Sequence, residues 1–295
     1  MSNLMRGLHT AIVTPFTSSG DLDLVAFRRL IDLQLAVAVD GIVVCGSTGE
    51  GATLSTAEKT LLWETAVAQV AGRCVVTAGT GTNDTRSTIE LTSIAKTCGV
   101  DAVLLVTPYY NKPTPAGLLA HFRAINDTVD VPQIIYNVPG RTGQNVSAAT
   151  QIAIAEACPR VIATKEASAN LEQMCEIIRH APANFALLAG DDVLTLPAIA
   201  CGAMGVIAVI SNYAGKRFRR LVHAALDGDL RTAQQEQMAL MPYYAANFIE
   251  SNPIPVKQIL HDLGHIQAEY RLPLTKATAQ TQERLREIMQ GFVDE

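Results

Sequence analysis

The chain has 295 residues, 48% of them hydrophobic and 17% charged, with a formal net charge of -5. That balance excludes a disordered or fibrous polymer, and with no basic block or basic helix nucleic acid is excluded as the main partner. No apolar run reaches the roughly 18 residues of a membrane span, and "MSNLMRGLHT" at the N-terminus lacks the h-region of a signal peptide, so no membrane partner and a cytoplasmic location are expected.

The first apolar run is "HTAIVTP", followed by the amphipathic stretch "LVAFRRLIDLQLAVAV". "GIVVCGS" comes next, then a second helical pattern, "STAEKTLLWETAVAQVA". The alternation continues through "CVVTAGT", "AVLLVTP", "QIIYNVP", "VIATKEAS", "FALLAGDD" and "GVIAVISN". Near-continuous apolar runs of this kind fit parallel strands covered on both faces. Strands alternating with helices predict an α/β protein, a (β/α)8 TIM barrel. A doubly wound open sheet is the alternative, but it more often carries GxGxxG after its first strand, and "TPFTSSGD" is not that motif. From about Gly215 only helical periodicity appears, with loops at "ESNPIPVK" and "EYRLPLTK". Pro242, Pro253 and Pro255 are expected to mark breaks. The predicted division is a barrel over residues 1–224 and a helical C-terminal extension over 225–295.

A barrel of this type carries its active site where the strands end. Polar and glycine-rich residues gather there: "GSTGEG" after the second run, "TPYYNKP" after the fourth, "YNVPGRTG" after the fifth and "GDD" after the seventh. Lys165 lies within the sixth. Burying an ammonium is costly, so the group pairs, loses its proton or points at a ligand. Its neighbour Glu166 faces the other side of the strand and is not its partner. A free amine there is suited to attack a ketone and form a Schiff base. The plainer reading pairs Lys165 with a carboxylate from an adjacent strand.

Tyr136 ends the fifth run, next to the sixth, where a phenol can relay protons. The alternative is a core tyrosine bonded to backbone. "GSTGE" offers hydroxyls and N–H groups to a carboxylate, or else Ser47 and Thr48 only cap a helix. Arg141, after a Pro-Gly turn, is either a clamp for a second carboxylate or a solvated loop residue. Six cysteines and six histidines are scattered without metal or redox spacing, so no metal is expected.

Together these stretches resemble the dihydrodipicolinate synthase / N-acetylneuraminate lyase superfamily of pyruvate-dependent class I aldolases, from "AIVTPF" to "RLPLT". "TPYYNKP", "YNVPGRTG", "KEAS" and "NPIPVK" are most similar to its dihydrodipicolinate synthase branch. Neuraminate lyases usually lack an arginine at the place of Arg141. The resemblance implies a lyase that condenses pyruvate with L-aspartate 4-semialdehyde at the first committed step of lysine and diaminopimelate synthesis. It implies no cofactor beyond a covalent pyruvate imine on Lys165. Tyr136, Ser47 and Tyr110 would relay protons, with Tyr110 reaching in from a neighbouring subunit. Thr48 would hold the pyruvate carboxylate, Arg141 the semialdehyde carboxylate, and Gly190 and Ile207 would complete the substrate-binding set. A homotetramer, built as a dimer of dimers, is the implied assembly.

Two departures stand out. The synthase branch normally reads GTTGE, whereas this chain has the GSTGE more typical of neuraminate lyases, keeping a neuraminate or 2-keto-3-deoxy-sugar-acid lyase as the alternative. Lysine-sensitive bacterial synthases carry glutamate at the place of Ser87, and often histidine at Thr56 and Lys59; weak lysine inhibition is therefore expected. A phosphate-binding isomerase barrel would want an anion nest after strands seven and eight, which the acidic "GDD" opposes. A non-catalytic binding barrel would keep the pocket without forming the imine.

Overall fold

A computed structural model describes residues 2–294. Eight strands pair in chain order into one closed parallel barrel, with β1 returning to β8. They are β1 Gly7–Ala11, β2 Gly41–Val44, β3 Val75–Gly79, β4 Ala102–Val106, β5 Gln133–Asn137, β6 Val161–Glu166, β7 Ala186–Ala189 and β8 Gly205–Ala208. Each lies largely within one of the predicted runs, and the β1–β8 pairing excludes the open sheet. All eight strands end before their apolar runs do, since the residues that close each run leave the ladder to build the rim. In β2 the switch is abrupt: Val44 is the last strand residue and Cys45 already has a φ of 59°.

The helices of the first half are α1 Leu24–Val37, α2 Thr56–Val70, α3 Thr85–Thr97, α4 Pro115–Thr128 and the short α5 Pro139–Thr142. Next come α6 Ala148–Ala157, α7 Leu171–His180, α8 Thr195–Ala200 and α9 Gly215–Leu226. Asp23, Ser55, Asp84, Thr114, Ser147 and Asn170 each accept a backbone N–H at a helix start. These contacts satisfy N–H groups that no helical carbonyl can reach. Large side chains such as Trp63, Phe27, Phe122 and Phe218, at most 1% exposed, fill the layer between barrel and helices. Each contributes roughly 1.5–3 kcal/mol by burial. A second apolar cluster fills the barrel itself and includes Val43, Leu104, Ile134, Leu188 and Ile207.

The C-terminal helices are α10 Leu230–Ala246, α11 Ile254–Asp262 and α12 Ala279–Met289. Two proline expectations need correction. Pro242 lies inside α10 and does not end it. It is on the exposed face, so its ring and the carbonyl bond it removes meet solvent and not the core. Pro255 sits in the first turn of α11, where the missing N–H has no intrahelical partner, so it opens a helix within the expected "ESNPIPVK" loop. Among the described residues no helix is long and apolar enough to cross a membrane.

Candidate active site

Lys165 is 5% exposed and pairs in register with Tyr136 of β5 and Leu188 of β7. Its Nζ stands 4.4 Å from the centroid of the Tyr136 ring. Among the described residues Lys165 forms no ion pair, so the carboxylate partner of the plainer reading is not found. Glu166 points outward, as strand alternation requires, and is fully buried. It accepts from Asn137 Nδ2 at 2.9 and 3.0 Å, Gln151 Nε2 at 2.7 Å, Gln173 Nε2 at 3.0 Å and the Ser168 N–H at 2.9 Å. These amides replace the water the carboxylate gave up. They tie β6 to β5, α6 and α7, and so fix the strand that presents Lys165.

The "CGSTGE" turn is bounded by two left-handed residues, Cys45 with φ 59° and Glu50 with φ 53°. The fold needs glycine at 51, because a Cβ there would stand 2.1 Å from the Cys45 carbonyl oxygen. Helix capping does not explain Ser47 or Thr48, since the cap of α2 is Ser55. The Ser47 and Thr48 N–H groups make no hydrogen bond among the described residues, which leaves them as donors for an anion. The Thr48 hydroxyl, by contrast, accepts from Asn252 Nδ2 at 3.0 Å.

A cavity of about 550 Å³ opens at this rim, with Ser47, Lys59, Tyr109, Tyr136, Arg141 and Asn252 in its walls. Arg141, in α5, donates to the Asn252 carbonyl at 3.0 Å and still borders the cavity. Lys165 is not part of that lining; its Nζ meets the ring of Tyr136, which is. Gly190 is packed so closely on the loop after Lys165 that a Cβ would meet that of Ala167 at 2.5 Å. Ile207 is fully buried in the barrel cluster that also holds Tyr136. Tyr110 lies apart, 89% exposed with a φ of 72°. Among the described residues no group of three or more His, Cys, Asp or Glu is placed to hold a metal ion.

Several supporting residues were not singled out from sequence. Lys257 of α11 is fully buried and donates to Glu50 of the rim turn at 2.5 Å and to the Glu269 carbonyl at 2.6 Å. Glu50 also accepts the Arg271 N–H at 3.2 Å. Burial lowers the Lys257 ammonium from its ordinary value, and the Glu50 charge opposes that. Asp192, buried and accepting the Val209 and Ile210 N–H groups, is pushed up to about 6 by desolvation.

Arg271 also pairs with Glu58, the residue closing the capping box of α2. The Arg271 hydrogen bond is the main cause that lowers the Glu58 carboxyl from 4.5 to about 2. A depressed folded value stabilises the protein above about 4.5, and that contribution disappears as pH falls through about 2. Melting temperature measured against pH is therefore expected to fall over this window, and Glu58→Gln to shallow the fall.

Residues 4–291 match the dihydrodipicolinate synthetase family. A 4-hydroxy-tetrahydrodipicolinate synthase of Maridesulfovibrio salexigens is 45% identical over 269 residues, 91% of this chain and 92% of the relative. The crystal structure of dihydrodipicolinate synthase from Aquifex aeolicus superposes with a TM-score of 0.95 at 41% identity, covering 97% of this chain and 98% of the other. A dihydrodipicolinate synthase variant described as monomeric superposes with a TM-score of 0.96 at 39% identity, covering 98% and 97%. With the family matched over nearly its whole length and the barrel shared at this identity, the chain belongs to the dihydrodipicolinate synthetase family.

Proposed function

We propose that the chain condenses pyruvate with L-aspartate 4-semialdehyde, the 4-hydroxy-tetrahydrodipicolinate synthase reaction of lysine and diaminopimelate synthesis. The observation that carries the reading is a buried, unpaired lysine over a tyrosine ring inside a barrel of this family. Lys165 Nζ adds to the keto carbon of pyruvate, and loss of water gives the imine. Removal of a methyl proton gives the enamine, which attacks the aldehyde carbon. The amine of the second substrate then displaces Lys165 and closes the ring. Tyr136 relays protons, with Ser47 and Tyr110 as its hydroxyl partners. The Ser47 and Thr48 N–H groups suit the pyruvate carboxylate, and the Arg141 fork suits the semialdehyde carboxylate. Gly190 lets the loop after β7 close on that after β6, and Ile207 walls the apolar side. Residues 225–295 act as a helical extension that braces the rim through Lys257 and Asn252.

A coupled assay tests the reading: pyruvate and aspartate semialdehyde, with product followed through an NADPH-dependent reductase. Turnover supports it. Pyruvate trapped on Lys165 without turnover would move the second substrate to a sugar-acid aldehyde, the reading that Ser47 favours.

Serine supplies the same donor and acceptor as threonine without the methyl that restricts the rotamer. Ser47→Thr is expected to keep or raise kcat; a large loss in steady-state assays would show the hydroxyl relay to be misassigned. Ser87 lies on α3, its hydroxyl held by the capping Asp84 at 2.6 Å, and Lys59 adds a cation to the cavity wall. A cationic effector should bind poorly there, so lysine titration is expected to show weak or no inhibition. Half-inhibition at sub-millimolar lysine would contradict this.

A cytoplasmic homotetramer, a dimer of dimers, completes the proposal. Two separate exposed features support it: Tyr110, and an apolar stripe of Met238, Met241 and Phe248 along and just beyond α10. Light scattering after gel filtration measures the assembly directly.

A further inference from the structure

The mechanism leaves one step without a group to perform it. The amine of aspartate semialdehyde arrives as an ammonium, which has no lone pair with which to displace Lys165. Tyr136 and Ser47 stand on the β2–β5 side of the site, and Lys165 faces β7 on its other flank. The rim loop after β7 begins at Gly190, whose N–H donates to the Glu166 carbonyl at 2.8 Å and which packs on Ala167. Asp191, the next residue, follows from this contact beside the segment that continues from Lys165. In that segment Ala169, two residues beyond Ala167, is held at a φ of 58°. Asp191 Oδ2 is buried with no hydrogen-bond partner among the described residues. A buried carboxylate oxygen without a donor is costly, and an ammonium is the ligand that would satisfy it.

We propose that Asp191 binds the ammonium of the second substrate and takes its proton, so that the freed amine attacks the imine carbon on Lys165. The new carbon–nitrogen bond forms as the imine π bond opens to a gem-diamine; the bond to Lys165 Nζ then breaks as the proton held by Asp191 passes to the departing lysine. No oxidant or cofactor enters the balance. Burial raises the Asp191 carboxyl, the direction a proton acceptor at neutral pH requires; Lys165 opposes the shift and Glu166 adds to it. Its neighbour Asp192 is not equivalent, because its oxygens are occupied by the Val209 and Ile210 N–H groups. The assignment makes Asp191 the residue that selects an amino aldehyde over one without an amine.

This inference rests on the synthase reading above, and the test separates the two. The full-length Asp191→Asn variant is compared with the parent in three reactions. These are exchange of the pyruvate methyl protons with deuterium, condensation with aspartate semialdehyde, and aldol addition to its des-amino analogue. The expected result is a loss of about 100-fold in kcat/KM for aspartate semialdehyde. Methyl exchange and addition to the des-amino analogue should stay within about twofold of the parent. Aspartate semialdehyde turnover within twofold of the parent would overturn the assignment. So would an equal loss in all three reactions, which would mark Asp191 as a support for the Lys165 loop. If the parent itself exchanges pyruvate but never consumes aspartate semialdehyde, the synthase reading fails first.

Discussion

Lys165→Ala is expected to lose turnover by a factor on the order of 10⁵, the scale on which removal of a covalent nucleophile acts. The packing around the residue makes this a chemical and not a structural loss. Lys165 supports no ion pair among the described residues, and the network that holds β6 runs through Glu166 on the opposite face. Alanine therefore leaves that network complete and removes mainly a side chain resting on the Tyr136 ring. Pre-steady-state mixing with pyruvate should show no imine absorbance, while circular dichroism and the urea midpoint stay near those of the parent. A variant that retains more than about a hundredth of parental turnover would mean that another group carries the carbonyl chemistry.

Lys257→Met is expected to destabilise the fold by about 3–5 kcal/mol, because it strands the buried Glu50 charge. Methionine matches the length of the lysine stem and keeps contact with the Phe16 and Tyr270 rings, which lie 4.5 and 4.8 Å from Nζ. The loss therefore reports on charge and not on volume. Adding Glu50→Gln should restore much of the stability, since replacing both partners removes the stranded ion. Urea unfolding of the two single variants and the double variant measures the coupling. Activity should follow stability, because Glu50 belongs to the turn that carries Ser47 and Thr48. Equal stability of Lys257→Met and the parent would contradict the bracing role given to α11.

The barrel was legible because its signals are local. Eight apolar runs of strand length alternate with helical patterns, and the Ser55–Glu58 capping box announces α2 within four residues of sequence. The opposite orientation of Lys165 and Glu166 follows from strand periodicity alone. Pro242 misled because a proline is read as a break wherever it stands, and only the finished fold shows that its face of α10 meets solvent. The brace was not legible for a different reason. Thr48 and Asn252 are 204 residues apart, Glu50 and Lys257 are 207, and no local pattern links such partners. The amide cage of Glu166 is likewise assembled from Asn137, Gln151 and Gln173 on three separate elements. A lysine in the "NPIPVK" stretch could have been flagged from sequence as a charge in an apolar setting, but its partner could not.

Covalent capture of pyruvate is assigned to Lys165. Its most direct test is borohydride reduction of the protein in the presence of pyruvate, followed by intact mass measurement and peptide mapping. The expected result is a mass gain of one pyruvic acid less one oxygen atom, confined to the peptide that carries Lys165. An unchanged mass, or the adduct on a different lysine such as Lys59, would contradict it.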